Sequence, residues 1–408
     1  MNLADMLGYA DIGQLGRIAN TYQCECNGHS KNELIQSILQ AIGRRDVFEN
    51  QISTMKMEDL RFMNSLLFDP RNAFSLEELI ARVQQSKFDN GTEWQAEDAS
   101  ASEALTERGA SGKAGKTGKR RKQAKAEQPA QPPGPRDTII RFKHYGWLFN
   151  GHAGPDRYLF HIPSDVKIRF REALERRLGL ELQYLHDEPD AYRDEQQLLG
   201  EDVVELLTYV HHNEISLTVD GMMYKRNVLQ MMERFGIREE LPARGEWRFG
   251  YGRRMKEYPD RMSLLYDYCY YKGWISEQQA LLALTPAGQE RQMKKLPEAP
   301  DELYRFWLRL YKNAIPNLRS LVYWIDRLAA KWVSADSLKK ALMPYIRPYY
   351  YDKSDAIFEQ RIVAMMLHLG LLKLGEHELC GRVIRATPLG RAVVAGLNLD
   401  DDEALVLE

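Results

Sequence analysis

The sequence predicts a mostly α protein with small β-hairpins: a SAP-like helical module followed by tandem winged-helix-like units. Two observations lead to this. Apolar stretches of helical period recur along the chain, and several end in Gly followed by a large apolar residue: Tyr145-Gly146-Trp147, Leu178-Gly179-Leu180, Phe235-Gly236-Ile237, Lys272-Gly273-Trp274 and Leu369-Gly370-Leu371. Gly supplies the left-handed conformation after a helix, and the next apolar residue packs back on the last turn. Two of these ends are followed by a matching start, Leu284-Thr285-Pro286-Ala287-Gly288 and Ala386-Thr387-Pro388-Leu389-Gly390. Thr suits the N-cap and Pro the first turn, and the residues between have room for one hairpin. Helix, Gly, hairpin and capped helix is how a winged helix closes.

At the N-terminus, Leu15, Ile18, Ala19 and Tyr22 share one helical face, as do Leu34, Ile35, Ile38, Leu39 and Ile42. Ser30-x-x-Glu33 opens the second of these helices and Ser75-x-x-Glu78 a fourth. A third, through Leu60, Met63, Leu66 and Leu67, should stop near Asp69-Pro70. The expected domains are a helical module over 1–88, a charged linker over 89–137, a helix-hairpin-helix unit over 138–198, winged-helix-like units over 199–296, and a last winged-helix-like domain over 297–408.

Composition separates the linker. It is rich in Ala, Gly, Ser, Pro and charge, and is expected to be disordered. Six acids and no base lie between Asp89 and Glu107, and eight bases and no acid between Arg108 and Lys125. The net charge of −2 averages these blocks away and excludes a protein that coats nucleic acid by bulk charge. No apolar run is long enough for a membrane span, the start lacks a signal-peptide pattern, and four cysteines suit a reducing cytoplasm. Cytoplasmic location and no membrane partner are the expectations.

Catalytic signals are weak. Residues 110–117 match a permissive phosphate-loop pattern, but no hydrophobic strand precedes them, so the match is read as chance. Cys24-x-Cys26-x-x-His29 offers three zinc ligands where a structural site needs four. No Ser carries the glycine spacing of a nucleophile elbow. The expectation is a non-enzyme without metal or cofactor.

The interaction candidate is Arg244–Lys256, where five bases interleave with Trp247, Phe249 and Tyr251. Cations bind phosphates and aromatic rings stack on bases. From this run Arg244, Trp247, Arg248, Tyr251, Arg253 and Arg254 are candidate contacts. Lys225 and Arg226 join them, on a helix assigned as a recognition helix together with Arg234. The alternative is a loop that fills an interdomain groove while its arginines pair with acids.

Two resemblances add to this. Residues 11–42 are similar to the helix-extended-helix of SAP modules and of the N-terminal domain of the terminator Rho, carried by Leu15, Ile18, Ala19, Tyr22, Lys31, Glu33, Leu34, Ile35, Ile38 and Leu39. That resemblance implies nucleic-acid contact at Lys31 and Asn32. The C-terminal region resembles the XPB/Ssl2-like helicase-associated N-terminal family of bacterial proteins, through residues 215–228 and the Gly273-Trp274…Thr285-Pro286-Ala287-Gly288 signature. It implies DNA transactions beside a helicase; motor domains are missing, so unwinding does not carry over. The expected function is non-catalytic DNA binding or helicase-associated accessory work, with a protein-interaction scaffold as the rival reading.

Overall fold

The computed structural model describes residues 1–88, 134–152, 154–242, 251–278 and 280–396. Four short helices lead: Leu3–Tyr9, Ile12–Thr21, Lys31–Gly43 and Arg45–Ser53. Asn2, Asp11 and Ser30 cap the first three, each side chain accepting the N–H three residues on. Leu15, Ile18, Leu34, Ile38 and Ile42 are buried together, as their periodicity predicts. Ser30 accepts from Glu33, but the Glu33 carboxylate turns to the Asn27 N–H rather than closing the box.

Three winged helices follow among the described residues, each with the order helix, strand, helix, helix, strand, strand, helix. The first comprises Met57–Leu67, Ala73–Phe74, Leu76–Ser86, Pro135–His144, Phe149–Asn150, Phe160–His161 and Ser164–Gly179. The second comprises Leu198–His212, Ile215–Ser216, Lys225–Met232, Asp260–Tyr271, Ile275–Gln278, Leu281–Leu284 and Pro286–Lys294. The third comprises Leu318–Leu328, Val333–Ser334, Ala335–Leu342, a helix from Ser354 to His368 with a π-helical stretch at Ile357–Val363, Leu372–His377, Gly381–Ala386 and Pro388–Gly396. In every sheet the first strand pairs antiparallel with the third, and the third with the second.

The boundaries differ from the sequence expectation in three ways. The expected linker does not separate two modules. It falls inside the first winged helix, between its second and third helices, because Ala73–Phe74 pairs with Phe160–His161 from the far side of it. The stretches around Gly236 and Gly273 are halves of one winged helix, since Ile215–Ser216 pairs with Leu281–Leu284. Ala191–Asp194, expected within the 138–198 unit, adds a fourth strand to the third sheet beside Leu372–His377.

Three of the five predicted glycine ends share one geometry, while Gly179, still inside its helix, and Gly236 are not left-handed. Gly146, Gly273 and Gly370 have φ of 68°, 66° and 69°. The following N–H groups, of Trp147, Trp274 and Leu371, reach back to the carbonyls of Phe142, Cys269 and Met366. These are the six-to-one bonds that close a helix on a left-handed residue. The Thr-Pro starts dock onto the same points: the Thr285 hydroxyl donates to Gly273 O (2.6 Å) and the Thr387 hydroxyl to Gly370 O (2.7 Å). Each hydroxyl also accepts the N–H of Gly288 or Gly390. A Cβ at Gly288 would lie 1.9 Å from the Trp274 carbonyl oxygen, so the last Gly of the motif is required by close backbone approach.

Gly288→Ala is therefore expected to destabilise the chain by about 3 kcal/mol, since backbone must move to admit the methyl group. Gly16→Ala, on a helix with open space around its Cβ position, should be neutral or slightly stabilising. Urea unfolding of the two variants checks the contrast.

Candidate nucleic-acid interface

A winged helix reads DNA with its third helix, assisted by the wing between its last two strands. In the second unit that helix is Asp260–Tyr271, and Arg261 through Cys269 are all buried. The helix assigned from sequence as the recognition helix, Lys225–Met232, is instead the second helix of the unit, because it directly follows the first strand. Lys225 and Arg226 are exposed at its start, and Arg234 beyond its end pairs with Glu205.

The third helices of the second and third units are packed against each other. Arg261 is wholly buried and donates to Asp202 (3.0 Å) and Glu195 (2.7 Å). His368, on the facing helix, shares the same Glu195 oxygen at 2.9 Å. Glu239 caps the helix by accepting the N–H groups of Arg261 and Met262. Arg361 is buried and bonded to Asp260 and Asp352, both at 3.1 Å.

The basic-aromatic run divides at the edge of the description. Arg244, Trp247 and Arg248 lie outside the described residues, as do the phosphate-loop match at 110–117 and the basic block at 108–125. Tyr251 is buried: its hydroxyl donates to Asp352 (3.1 Å), and its ring packs on Tyr311 and Tyr349. Arg253 forms a two-pronged pair with Glu277 (3.1 and 3.3 Å) and lies 3.9 Å over the Tyr270 ring. Arg254 donates to Glu277 (2.9 Å) and to the Asp220 carbonyl (3.0 Å). Tyr251 is thus committed to the contact between the second and third units, and Arg253 and Arg254 to partners within the second unit itself. Residue type alone does not separate the two uses, since stacking on a base and filling a groove call for the same rings and guanidiniums.

The first winged helix is different. In Pro135–His144 only Thr138, Ile139 and Phe142 are buried, and Arg136 and Ile140 are exposed. The Lys143 ammonium donates to Asn150 Oδ1 (2.7 Å) at the root of the wing, and burial together with the Arg17 charge lowers its pKa. The wing presents Arg157 and Tyr158 to solvent. His152, also in the wing, stacks on Tyr9 with ring centres 4.1 Å apart. Lys31 donates to the carbonyl of Gly8, the neighbour of Tyr9, at 2.7 Å. Lys31 is thus brought to the wing, and Asn32 beside it is exposed. The patch joins the N-terminal helices to the first winged helix. Sequence reading missed its centre, although Arg136, Lys143 and Arg157 stand in plain view, because the two halves of this unit are separated by the long charged segment.

The chain matches no known protein family, no curated protein and no solved structure. Among the described residues, no group of three or more His, Cys, Asp or Glu side chains is placed to hold a metal ion. Cys24 and Cys26 are half-buried and turn to the carbonyls of Ser37 and Cys24. Among the described residues no helix is long and apolar enough to cross a membrane.

Burial opposes ionisation of Glu277, but hydrogen bonds from Tyr266 and Arg254 and the two guanidinium charges outweigh it and hold the carboxyl below its ordinary value of 4.5. The stability it contributes is present above pH ~4.5 and lost as pH falls through the lowered value. Glu277→Ala should cost about 3 kcal/mol at pH 7, by leaving two guanidiniums unpaired, and less at pH 3; urea unfolding at both values is the check. Asp267 behaves oppositely. Burial pushes it up to about 7, against the Arg253 N–H and the nearby arginine charges. Its folded form holds a proton that the unfolded chain releases, so it costs stability as pH rises from about 4 through 7. Asp267→Asn should gain on the wild type between pH 5 and pH 8, measured by thermal unfolding.

Proposed function

We propose that this chain is a non-catalytic DNA-binding accessory protein of the cytoplasm, working beside a helicase or another DNA-processing protein. The association with a helicase rests on the sequence resemblance of residues 215–228 and the Gly273-Trp274 signature. DNA contact is assigned to the first winged helix and the N-terminal helices: Arg17, Lys31, Asn32, Arg136, Lys143 and Arg157, with Tyr158 on the wing.

One observation carries the reading. Pro135–His144 exposes Arg136, Asp137 and Ile140 and keeps Lys143 and His144 half-buried, while its two counterparts are buried against each other. Arg17, Arg136 and Arg157 are exposed and have no ion-pair partner among the described residues. The eight-base block of the sequence ends ten residues before Pro135, which supplies further positive charge on the approach to this helix. Lys225 and Arg226 remain proposed contacts of secondary weight, as an exposed pair on another unit.

A scaffold reading is favoured by a separate observation. The third helices of the second and third winged helices face each other, joined by Arg361 to Asp260 (3.1 Å) and by Arg261 and His368 on the same Glu195 oxygen, while Arg253 and Arg254 pair with Glu277 within the second unit. In the DNA reading, that pair of units is the platform that a partner protein holds.

The test is a mobility-shift titration with double-stranded DNA at several salt concentrations. Arg17, Arg136 and Arg157 changed together to Ala should weaken binding at least ~10-fold and flatten the log K against log salt slope by about 2–3. Unchanged affinity would overturn the site. No shift with the wild-type chain, on single- or double-stranded DNA, would leave the scaffold reading.

A further inference from the structure

A cavity of about 550 Å³ lies between the first winged helix and the third. Helices Met57–Leu67 and Leu76–Ser86 form one wall, and Pro300–Tyr311 with Leu318–Leu328 the other. Six cationic side chains line it: Arg61, Arg82, Arg309, Lys312, Arg319 and Arg347. Its two acids, Asp69 and Glu78, are both engaged by Arg82 and by Arg71 outside the lining. Arg319, half-buried, and Arg347, exposed at the rim, have no ion-pair or hydrogen-bond partner among the described residues. Arg61 fixes the opposite rim, donating to the carbonyls of Pro344, Ser86 and Phe88 and lying 3.7 Å over the Phe88 ring.

We propose that this cavity binds a small ligand carrying a chain of phosphates. Arg61 and Arg82 are engaged as described and Arg309 donates to the Tyr271 hydroxyl (3.0 Å), so the occupant must reach Arg319 and Arg347, on two different segments of the lining, with more than one anionic oxygen. A phosphoanhydride chain does this, whereas a single carboxylate does not. Guanidinium forks match phosphate oxygens two at a time. Low-dielectric walls around an excess of one charge focus the field and concentrate a counter-ion. The volume is that of ordinary small-molecule sites. The proposal is independent of the DNA reading: the cavity faces the first two helices of the winged helix, and the proposed DNA surface is carried by its third helix and wing.

The experiment is isothermal titration calorimetry of the full chain with tripolyphosphate and, separately, with ATP. Saturable one-to-one binding of tripolyphosphate is expected, weakened at least ~10-fold in an Arg319→Glu, Arg347→Glu double variant whose thermal unfolding matches the wild type. Tighter binding of ATP would identify a nucleotide as the source of the phosphates, and equal binding an inorganic chain; either supports the site. The variant with Arg17, Arg136 and Arg157 changed to Ala should bind tripolyphosphate as the wild type does, which keeps this outcome separate from the DNA test. Binding unchanged by the double variant, or no binding of either probe, overturns the proposal. Binding that emerges only after the six carboxylates of 89–107 are changed to amides would assign the cavity to the chain's own acidic segment, and also overturns it.

Discussion

Arg261 sets the arrangement of the C-terminal half. A guanidinium with no exposed surface is tolerated only when its charge and its donors are matched, and here Asp202 comes from the same winged helix and Glu195 from the segment leading into it. The facing helix contributes His368 to the same carboxylate. Arg361 repeats the device from the other side through Asp260 and Asp352. Together they lock two third helices against each other. The lock leaves Pro135–His144 as the third-position helix that is not buried against another winged helix.

The local signals of the fold were legible in the sequence. Gly273 and Gly370 announced helix ends, and Thr285-Pro286 and Thr387-Pro388 announced helix starts, because each answers to backbone geometry within a few residues. The first winged helix was only half legible. Its closing helix lacks the Thr-Pro start, and its first strand lies on the far side of the charged segment. The site was less legible still. Glu277 lies 24 residues from Arg253, and Asp352 lies 101 from Tyr251, so nothing local told that these cations and rings were already engaged. Asp260–Tyr271 did carry a sign of its fate. Met262, Leu264, Leu265, Tyr266, Tyr268 and Cys269 cover most of the helix surface, which points to burial, while the burial of Arg261, Ser263 and Asp267 among them was not legible.

Three copies of one architecture have therefore diverged in exposure rather than in topology. The strand order and the left-handed glycine are common to all of them. What differs is the exposure of the third helix: buried from Arg261 to Cys269 around a matched cation in the second unit, bearing the buried cation Arg361 in the third, and amphipathic in the first. The residues on one helix face thus decide whether the helix is exposed or buried against a neighbour, while the core of the unit keeps its order.

The strand Ala191–Asp194 bears on self-association. Leu372–His377 and Gly381–Ala386 are six residues each, the longest strands among the described residues, and a hairpin of that length with an open edge is a template for pairing with another chain. Ala191–Asp194 covers that edge, with Gly375 leaving room for Pro189 beside it. The sheet then ends on a strand of four residues that carries Arg193 and Asp194, a short and charged edge that discourages further addition. The segment joining two winged helices thus also closes one edge of the third sheet.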